Sequence, residues 1–456
     1  MRWYRTGPLL ASLVVGATSP SSGQASGGAG AVPFERYKLD NGLEVILSED
    51  HSVPVVAVDL WYHVGSYNEH VGRTGFAHLF EHMMFQGSQN VAKGEHLQLV
   101  ERAGGSMNGS TADDRTNYFE SLPANRLNLG LWLEADRMKS LAITPENLKN
   151  QIEVVKEEKR LRVDNAPYQG ALRSALAEIP YDSAGCFAYG HPGIGSMEDL
   201  DSAKVEDVRS FFGTYYAPNN ATLTVVGDFE PQATRAMIQE YFGGIPSGGE
   251  IPAVSCENAF AKLPVTVTVP DRNATIPALF VPYGMPATGN ADMYPLRLLA
   301  SILAGGESSR MNQRMVRQEK IALEVFSFPD FRKGPGVLLI GAIANQGIEP
   351  DTLLGSIEDE LAKVRANGVT AAELEKAKNQ YRAETIRGLQ TALGKAEALQ
   401  SANLYYGDPG AIQTDLERTL AVTAADVKRV ANEYLVAKNR ATVITQPAAG
   451  QTAAKE

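Results

Sequence analysis

Two histidines and a glutamate in the run Gly75-Phe-Ala-His-Leu-Phe-Glu-His-Met-Met-Phe85 have the types and spacing to do chemistry in this 456-residue chain. His78 and His82 are four apart. On a helix of about 3.6 residues per turn their imidazoles share a face and reach one metal ion. Glu81 stands beside them, placed to handle the proton of a water. The order His-x-x-Glu-His reverses the commoner zinc-peptidase order His-Glu-x-x-His. Phe76, Leu79, Phe80, Met83, Met84 and Phe85 surround the trio, and a helix that is apolar nearly all round is a buried one. Burying two imidazoles and a carboxylate costs roughly several kcal/mol unless they are paired or bind a metal. Three unrelated core side chains would each need a separate partner, so the metal is the simpler reading.

The elements that must position the trio follow from pattern. A strand pair, Leu43 to Leu47 and Val55 to Val64, opens the first domain and the motif helix follows, ending near Gly87. A helix at Glu95 to Ala103 leads through Gly104-Gly105 into a hairpin over Ser106 to Leu122, with Asp113-Asp114 in its turn. Helices at 124–140 and 145–163 come next, the second with Thr144 as N-cap and Pro145 at its first position. Helical runs at 168–179 and 203–216 precede a strand at 221–226. The second half echoes the first. Asp207 through Tyr216, Asn220 and the strand Thr222–Val226 match Asp426 through Tyr434, Asn439 and Ala441–Thr445 at an offset of about 219. The fold class expected is α+β, two homologous domains, each a mostly antiparallel sheet packed with helices. The metal-bearing domain spans 35–245, a Gly/Pro/Ser-rich linker 246–260, a second domain without the motif 261–446, and a polar tail 447–456.

Composition narrows the partners. The formal charge of −11 argues against nucleic acid and anionic membrane. No stretch after the N-terminus is long enough to cross a bilayer. Arg2 and Arg5 precede a short apolar run, Gly7 to Ala17, and Gly23-Gln24-Ala25 resembles a small-x-small cleavage site. This reads as a secretory signal peptide over 1–25 followed by a low-complexity linker, 26–34, and predicts export, to the bacterial periplasm. The chain has two cysteines, Cys186 and Cys256, with no zinc-type spacing. An oxidising compartment permits their pairing without requiring it.

A catalytic zinc normally takes three protein ligands and a water. The helix 145–163 offers Glu146, Glu153, Glu157 and Glu158, with Ile152 and Val155 marking its buried side. Glu158, three residues after Val155, lies nearer that side than Glu157. Helix geometry favours it only weakly, and most of these carboxylates belong to a solvated face.

His78-x-x-Glu81-His82, a glutamate 76 residues after the second histidine, and the duplicated α+β domains resemble the pitrilysin/insulinase family of zinc metallopeptidases. The chain is similar to the zinc-bearing subunit of mitochondrial processing peptidase and its bacterial two-subunit relatives. The resemblance spans about 35–446. It implies that Val154-Val155-Lys156-Glu157-Glu158 supplies the third ligand as Glu158, so one Zn2+ per chain is held by His78, His82 and Glu158, with Glu81 as general base. It also implies that Asn108 begins an edge strand to which a peptide substrate adds by main-chain hydrogen bonds. Gln151 stands where relatives often carry a second functional glutamate. In the family the zinc-free half supplies an arginine and a tyrosine seven residues apart. Here Arg317 is followed at that spacing by Glu324, which cannot donate to an oxyanion as a phenol does. The function expected is therefore an exported zinc metalloendopeptidase acting on oligopeptides or unfolded segments. It is expected to be the catalytic subunit of a two-subunit enzyme, whose homologous partner supplies the arginine and tyrosine. The alternatives are a non-catalytic scaffold subunit of the same fold, which needs no metal trio, and a structural zinc protein, which usually closes its site with four ligands.

Overall fold

The structure, a computed structural model, describes residues 31–448 and the backbone of Ser21–Gly23. Apart from that short strand, the expected signal peptide lies outside the described residues, as does the tail past 448.

The first sheet is built from β1 (Ser21–Gly23), β2 (Phe34–Lys38), β3 (Glu44–Glu49), β4 (Val55–Tyr62), β5 (Ser106–Thr111), β6 (Thr116–Pro123) and β7 (Ala221–Gly227), in the order β1-β2-β3-β7-β4-β6-β5. The second holds β8 (Val265–Asp271), β9 (Ala278–Ala287), β10 (Ala322–Asp330), β11 (Pro335–Ala344) and β12 (Ala441–Pro447), in the order β10-β11-β9-β12-β8. With β1 and β2 set aside, the two orders are one arrangement repeated: β3, β7, β4, β6 and β5 correspond to β8, β12, β9, β11 and β10. In each, one pair is parallel (β3 with β7, β8 with β12) and the rest antiparallel. The tyrosine–asparagine echo has a local cause. Asn220 Nδ2 donates to the Tyr215 carbonyl and Asn439 Nδ2 to the Tyr434 carbonyl, each at 2.9 Å, so the same side chain ends the same helix before the same strand.

Alternating residues of the strands face two different cores. On one face of the first sheet, Val56, Val58, Leu60 and Tyr62 pack against α1 (Phe76–Met83), α3 (Leu127–Ser140), α7 (Val205–Tyr215) and α8 (Pro231–Phe242). The helices between them in the chain are α2 (Glu95–Arg102), α4 (Pro145–Lys159), α5 (Gln169–Leu176) and α6 (Met197–Ser202). In the second half, α9 (Met293–Ala304), α10 (Pro350–Asn367), α11 (Ala371–Gly388) and α14 (Ala424–Tyr434) cover one face of the second sheet. Between α11 and α14 come α12 (Ala392–Tyr406) and α13 (Ala411–Ala421).

The other face of each sheet is covered by the opposite half. Ala396 and Leu399 of α12 pack on Ile46, Ala57 and Val226 of the first sheet. Ala171 and Ala175 of α5 pack on Ala278, Phe280, Leu339 and Val443 of the second. Gln400 Nε2 fixes α12 further, donating to the carbonyls of Asp59 and Thr222 at 2.9 and 2.7 Å. This exchange binds the halves into one body. A covalent tie is added where Cys256 is joined to Cys186 by a disulfide.

The expected elements are present with shifted ends. The motif helix stops at Met83 and not near Gly87, because the chain tightens there: Phe85 N–H bonds to His82 O and Gln86 N–H to Met83 O, three residues back in each case. The helix begun by Thr144 and Pro145 is capped as expected, the Thr144 hydroxyl accepting the Asn147 N–H at 3.2 Å. After Lys159 it widens into a π-turn over Arg160–Asp164. No helix among the described residues is long and apolar enough to cross a membrane.

Candidate active site

The motif helix α1 is anchored at its start. Gly75 precedes it at φ +84°, and a Cβ there would lie 2.7 Å from the Ile194 carbonyl oxygen, so glycine is required for both conformation and space. The first turn of a helix leaves N–H groups without partners. Buried Glu69 accepts two such N–H groups here, from Gly75 and Ala77, each at 2.8 Å. His191 Nε2 lies 3.0 Å from the same carboxylate, with Nδ1 at 2.7 Å from the Phe187 carbonyl. Burial disfavours the charged imidazole, but the Glu69 carboxylate and the Phe187 carbonyl together raise the His191 pKa. The pair was missed in the sequence, where Glu69 and His191 lie 122 residues apart and carry no motif.

Phe76, Leu79, Phe80 and Met83 of α1 are buried, whereas His78, Glu81 and His82 face a cavity and keep partial exposure. The helix is therefore apolar toward the core and polar toward the cavity, not buried all round. From α4, Glu158 reaches the same point. Its Oε2 lies 3.1 Å from His82 Nε2 and 3.7 Å from His78 Nε2. Glu157 turns to solvent and pairs with Arg160. A tetrahedral zinc with ligands at about 2.0–2.2 Å needs donor atoms roughly 3.3 Å apart. His78, His82 and Glu158 thus fit such an ion in both donor type and spacing, with the cavity side left open. Burial, then the neighbouring His82, pushes the His78 pKa down to about 4, keeping the imidazole neutral as a ligand must be.

Glu81 lies one residue from His82 with its own anchor. The Thr111 hydroxyl on β5 donates to Oε2 at 2.6 Å. Burial raises the Glu81 pKa, and the Thr111 hydrogen bond opposes the rise. Thr111 also belongs to the candidate substrate strand. β5 is the outermost strand of its sheet, so its outer edge has free main-chain groups. Asn108 is exposed on this strand and, with Gly109–Ala112, lines the cavity beside the donors.

The cavity holds about 650 Å³. Arg332, from the turn between β10 and β11, is buried at its wall and pairs with Asp330 at 2.7 Å and Asp113 at 3.1 Å. Sequence reasoning chose a different arginine of the second half. Arg317 is exposed, pairs with Glu307 at 2.9 Å and does not line the cavity, and Glu324 faces solvent. Arg162 and Arg173 also line the cavity unforeseen. Gln151 is buried on α4 and donates to the side chain of neighbouring Asn150 at 2.8 Å.

Comparison with known proteins bears on this arrangement. The family model of insulinase, peptidase family M16, matches residues 44–184, which include all the donors, and the model of the peptidase M16 inactive domain matches residues 202–381, which include none. The zinc protease PqqE of Helicobacter pylori is 30% identical over 421 residues, covering 91% of this chain and 93% of its own. The uncharacterised zinc protease YmxG of Bacillus subtilis is 25% identical over 407 residues, covering 88% and 95%. The crystal structure of a protease from Helicobacter pylori superposes with a TM-score of 0.86 at 29% identity, over 91% of this chain and 100% of that one. These matches run almost end to end through both sheets, and the chain belongs to the insulinase family, peptidase family M16.

Proposed function

We propose that the chain is a zinc metalloendopeptidase that cleaves oligopeptides or unfolded segments. The observation carrying this reading is the convergence of His78, His82 and Glu158, with all ligand atoms within 4.8 Å of one another, at a cavity that Glu81 also faces. Zinc relatives by name support the metal. A divalent ion held by these three side chains would supply a Lewis acid for the attacking water and the scissile carbonyl.

The chain's own residues do the remainder. The Thr111 hydroxyl holds Oε2 of Glu81, which leaves Oε1 to take the proton of the attacking water and return it to the leaving amine. The free edge of β5, with Asn108, aligns the peptide as an added strand. Residues 35–245 form the catalytic unit and 261–446 its metal-free counterpart, a division supported by the two sheets of equal order.

A homologous partner completes the enzyme. The support is that neither Arg317 nor Glu324 reaches the cavity lining, so the pair found in the zinc-free half of relatives is not formed here. Export to the periplasm is supported by the signal-like N-terminus and the Cys186–Cys256 disulfide.

The test is hydrolysis of a quenched-fluorescent peptide library by the full chain, alone and with its candidate partner. Turnover should be abolished by a chelator, return with zinc and rise with the partner. Chelator-resistant cleavage would sink the metallopeptidase reading, and full activity of an isolated monomer would sink the two-subunit part.

A further inference from the structure

The cavity wall carries three arginines, and their partners separate them. Arg332 is buried and committed to Asp330, Asp113 and the Leu176 carbonyl, the last at 2.9 Å. Arg162, on the π-turn after α4, reaches back to Glu158 Oε1 at 2.9 Å. Arg173 of α5 has neither an ion pair nor a hydrogen bond from its guanidinium among the described residues. The acids of the same wall are already engaged. Asp113 and Asp330 hold Arg332, Glu158 holds Arg162 and faces the histidines, and Glu81 is bound by Thr111. Arg173 is thus a cation at the cavity with no paired anion among the described residues.

The helix that carries it is seated at both ends of its first turns. Ala171 and Ala175 seat α5 on the second sheet. Tyr168 before the helix stands at φ +68°, and its N–H is accepted by Asp271 of β8 at 2.6 Å. Arg173 itself is exposed and lines the cavity from this seated helix, and its planar guanidinium matches a carboxylate in a bidentate pair.

We propose that Arg173 is a specificity-determining residue that selects peptides bearing an aspartate or glutamate side chain near the scissile bond. The inference rests on the peptidase reading above. A peptide lying along β5 projects alternate side chains to one side, and one of these meets Arg173. A charge-assisted, bidentate pair is among the stronger hydrogen-bonded contacts. The overall balance agrees: with a divalent ion in place, the charged side chains of the wall sum to a net positive site.

The test is a panel of quenched-fluorescent peptides with one common core, in which Asp, Asn or Lys is scanned through three positions on each side of the cleaved bond. The full chain is used with zinc loaded, and with its partner where the partner is needed for turnover. At one position kcat/KM for Asp should exceed that for Asn by about tenfold and that for Lys by more. Arg173→Gln should level the series, Arg173→Glu should reverse it toward Lys, and both variants should keep one zinc per chain. An Asp-to-Lys ratio that is the same in wild type and Arg173→Glu, with cleavage still chelator-sensitive, overturns the selectivity and leaves the peptidase reading standing. Cleavage of no peptide by the zinc-loaded enzyme overturns both.

Discussion

His78, His82 and Glu158 form one cluster of metal-capable donors; His96, Glu120 and Glu134 form another, and in each the ligand atoms lie within 4.8 Å of one another. By donor type alone the two are near equals. They differ in what surrounds them. The first opens on a cavity, with side-chain exposures of 15%, 18% and 19%. The second is sealed between α2, β6 and α3, where Glu120 and Glu134 have none. Arg137 occupies it, bonded to both oxygens of Glu134, 3.7 Å from Glu120, and stacked over the rings of Tyr118 and Phe85. Burial raises the pKa of both carboxyls, and the Arg137 guanidinium opposes the rise in each. The lesson is that a guanidinium and a divalent ion solve the same electrostatic problem, and that only the open cluster leaves a position for substrate.

The sharpest way to break this contrast is to neutralise Glu81, beside the first cluster, and Glu120, within the second. Glu81→Gln should retain zinc and lower turnover roughly a thousandfold, the scale of general acid–base catalysis. Glu120→Gln should leave turnover at the wild-type level and change stability instead. Metal analysis and peptide kinetics on both variants decide it. Equal losses of turnover would mean the buried cluster takes part in chemistry.

Removing the guanidinium probes the second cluster directly. Arg137→Met leaves two buried carboxyls without their cation and should destabilise the fold by about 3–5 kcal/mol in denaturant unfolding. The wild type should hold one zinc per chain. Two per chain in the wild type would end the distinction between the clusters.

The next effect is read from pH. Burial, then Arg137, pushes the His96 pKa down to about 3. A group with a depressed folded pKa contributes stability that is full above its unfolded value, near 6.5 for histidine, and is lost as pH falls toward the folded value. The raised pKa values of Glu120 and Glu134 act in the opposite sense, gaining stability as pH falls through the same range. The difference between wild type and His96→Gln therefore isolates the imidazole. Between pH 7 and 4 the wild type should lose on the order of 3 kcal/mol relative to the variant. Parallel stability curves would show that His96 is not held neutral.

The contrast also marks what was legible in the sequence. The spacing of His78, Glu81 and His82 was readable because one helix brings them together, and the Thr144–Pro145 start and the Tyr–Asn echo were readable because capping is local. Glu158 was separable from Glu157 only weakly, since the choice depends on how α4 lies against α1. His96 to Glu120 is a contact across 24 residues and Arg332 to Asp113 joins the two halves, and neither leaves a periodic trace. One signal was present and unread: Glu134, Asp136 and Arg137 stand among the buried apolar residues of α3, and charges on a buried helix face must find partners. The cysteine pairing was open from sequence because residues 70 apart are brought together only by the fold.

The smallest effect concerns how the proposed base, Glu81, is held beside the open cluster. Arg137 fixes the carboxylate of Glu134 by two hydrogen bonds and an ion pair, whereas Glu81 is fixed by a single neutral hydroxyl, Thr111. A single neutral donor keeps the carboxylate oriented while leaving one oxygen free for proton transfer. Thr111→Val keeps the shape and the strand propensity of the side chain and removes only the donor. It should lower kcat about tenfold, near the net worth of one hydrogen bond to a charged group, with zinc content unchanged and Thr111→Ser restoring most of the rate. A KM that rises while kcat holds would instead assign Thr111 to binding the peptide along β5. Loss of zinc in Thr111→Val would mean that the hydroxyl supports the ligands and not the base.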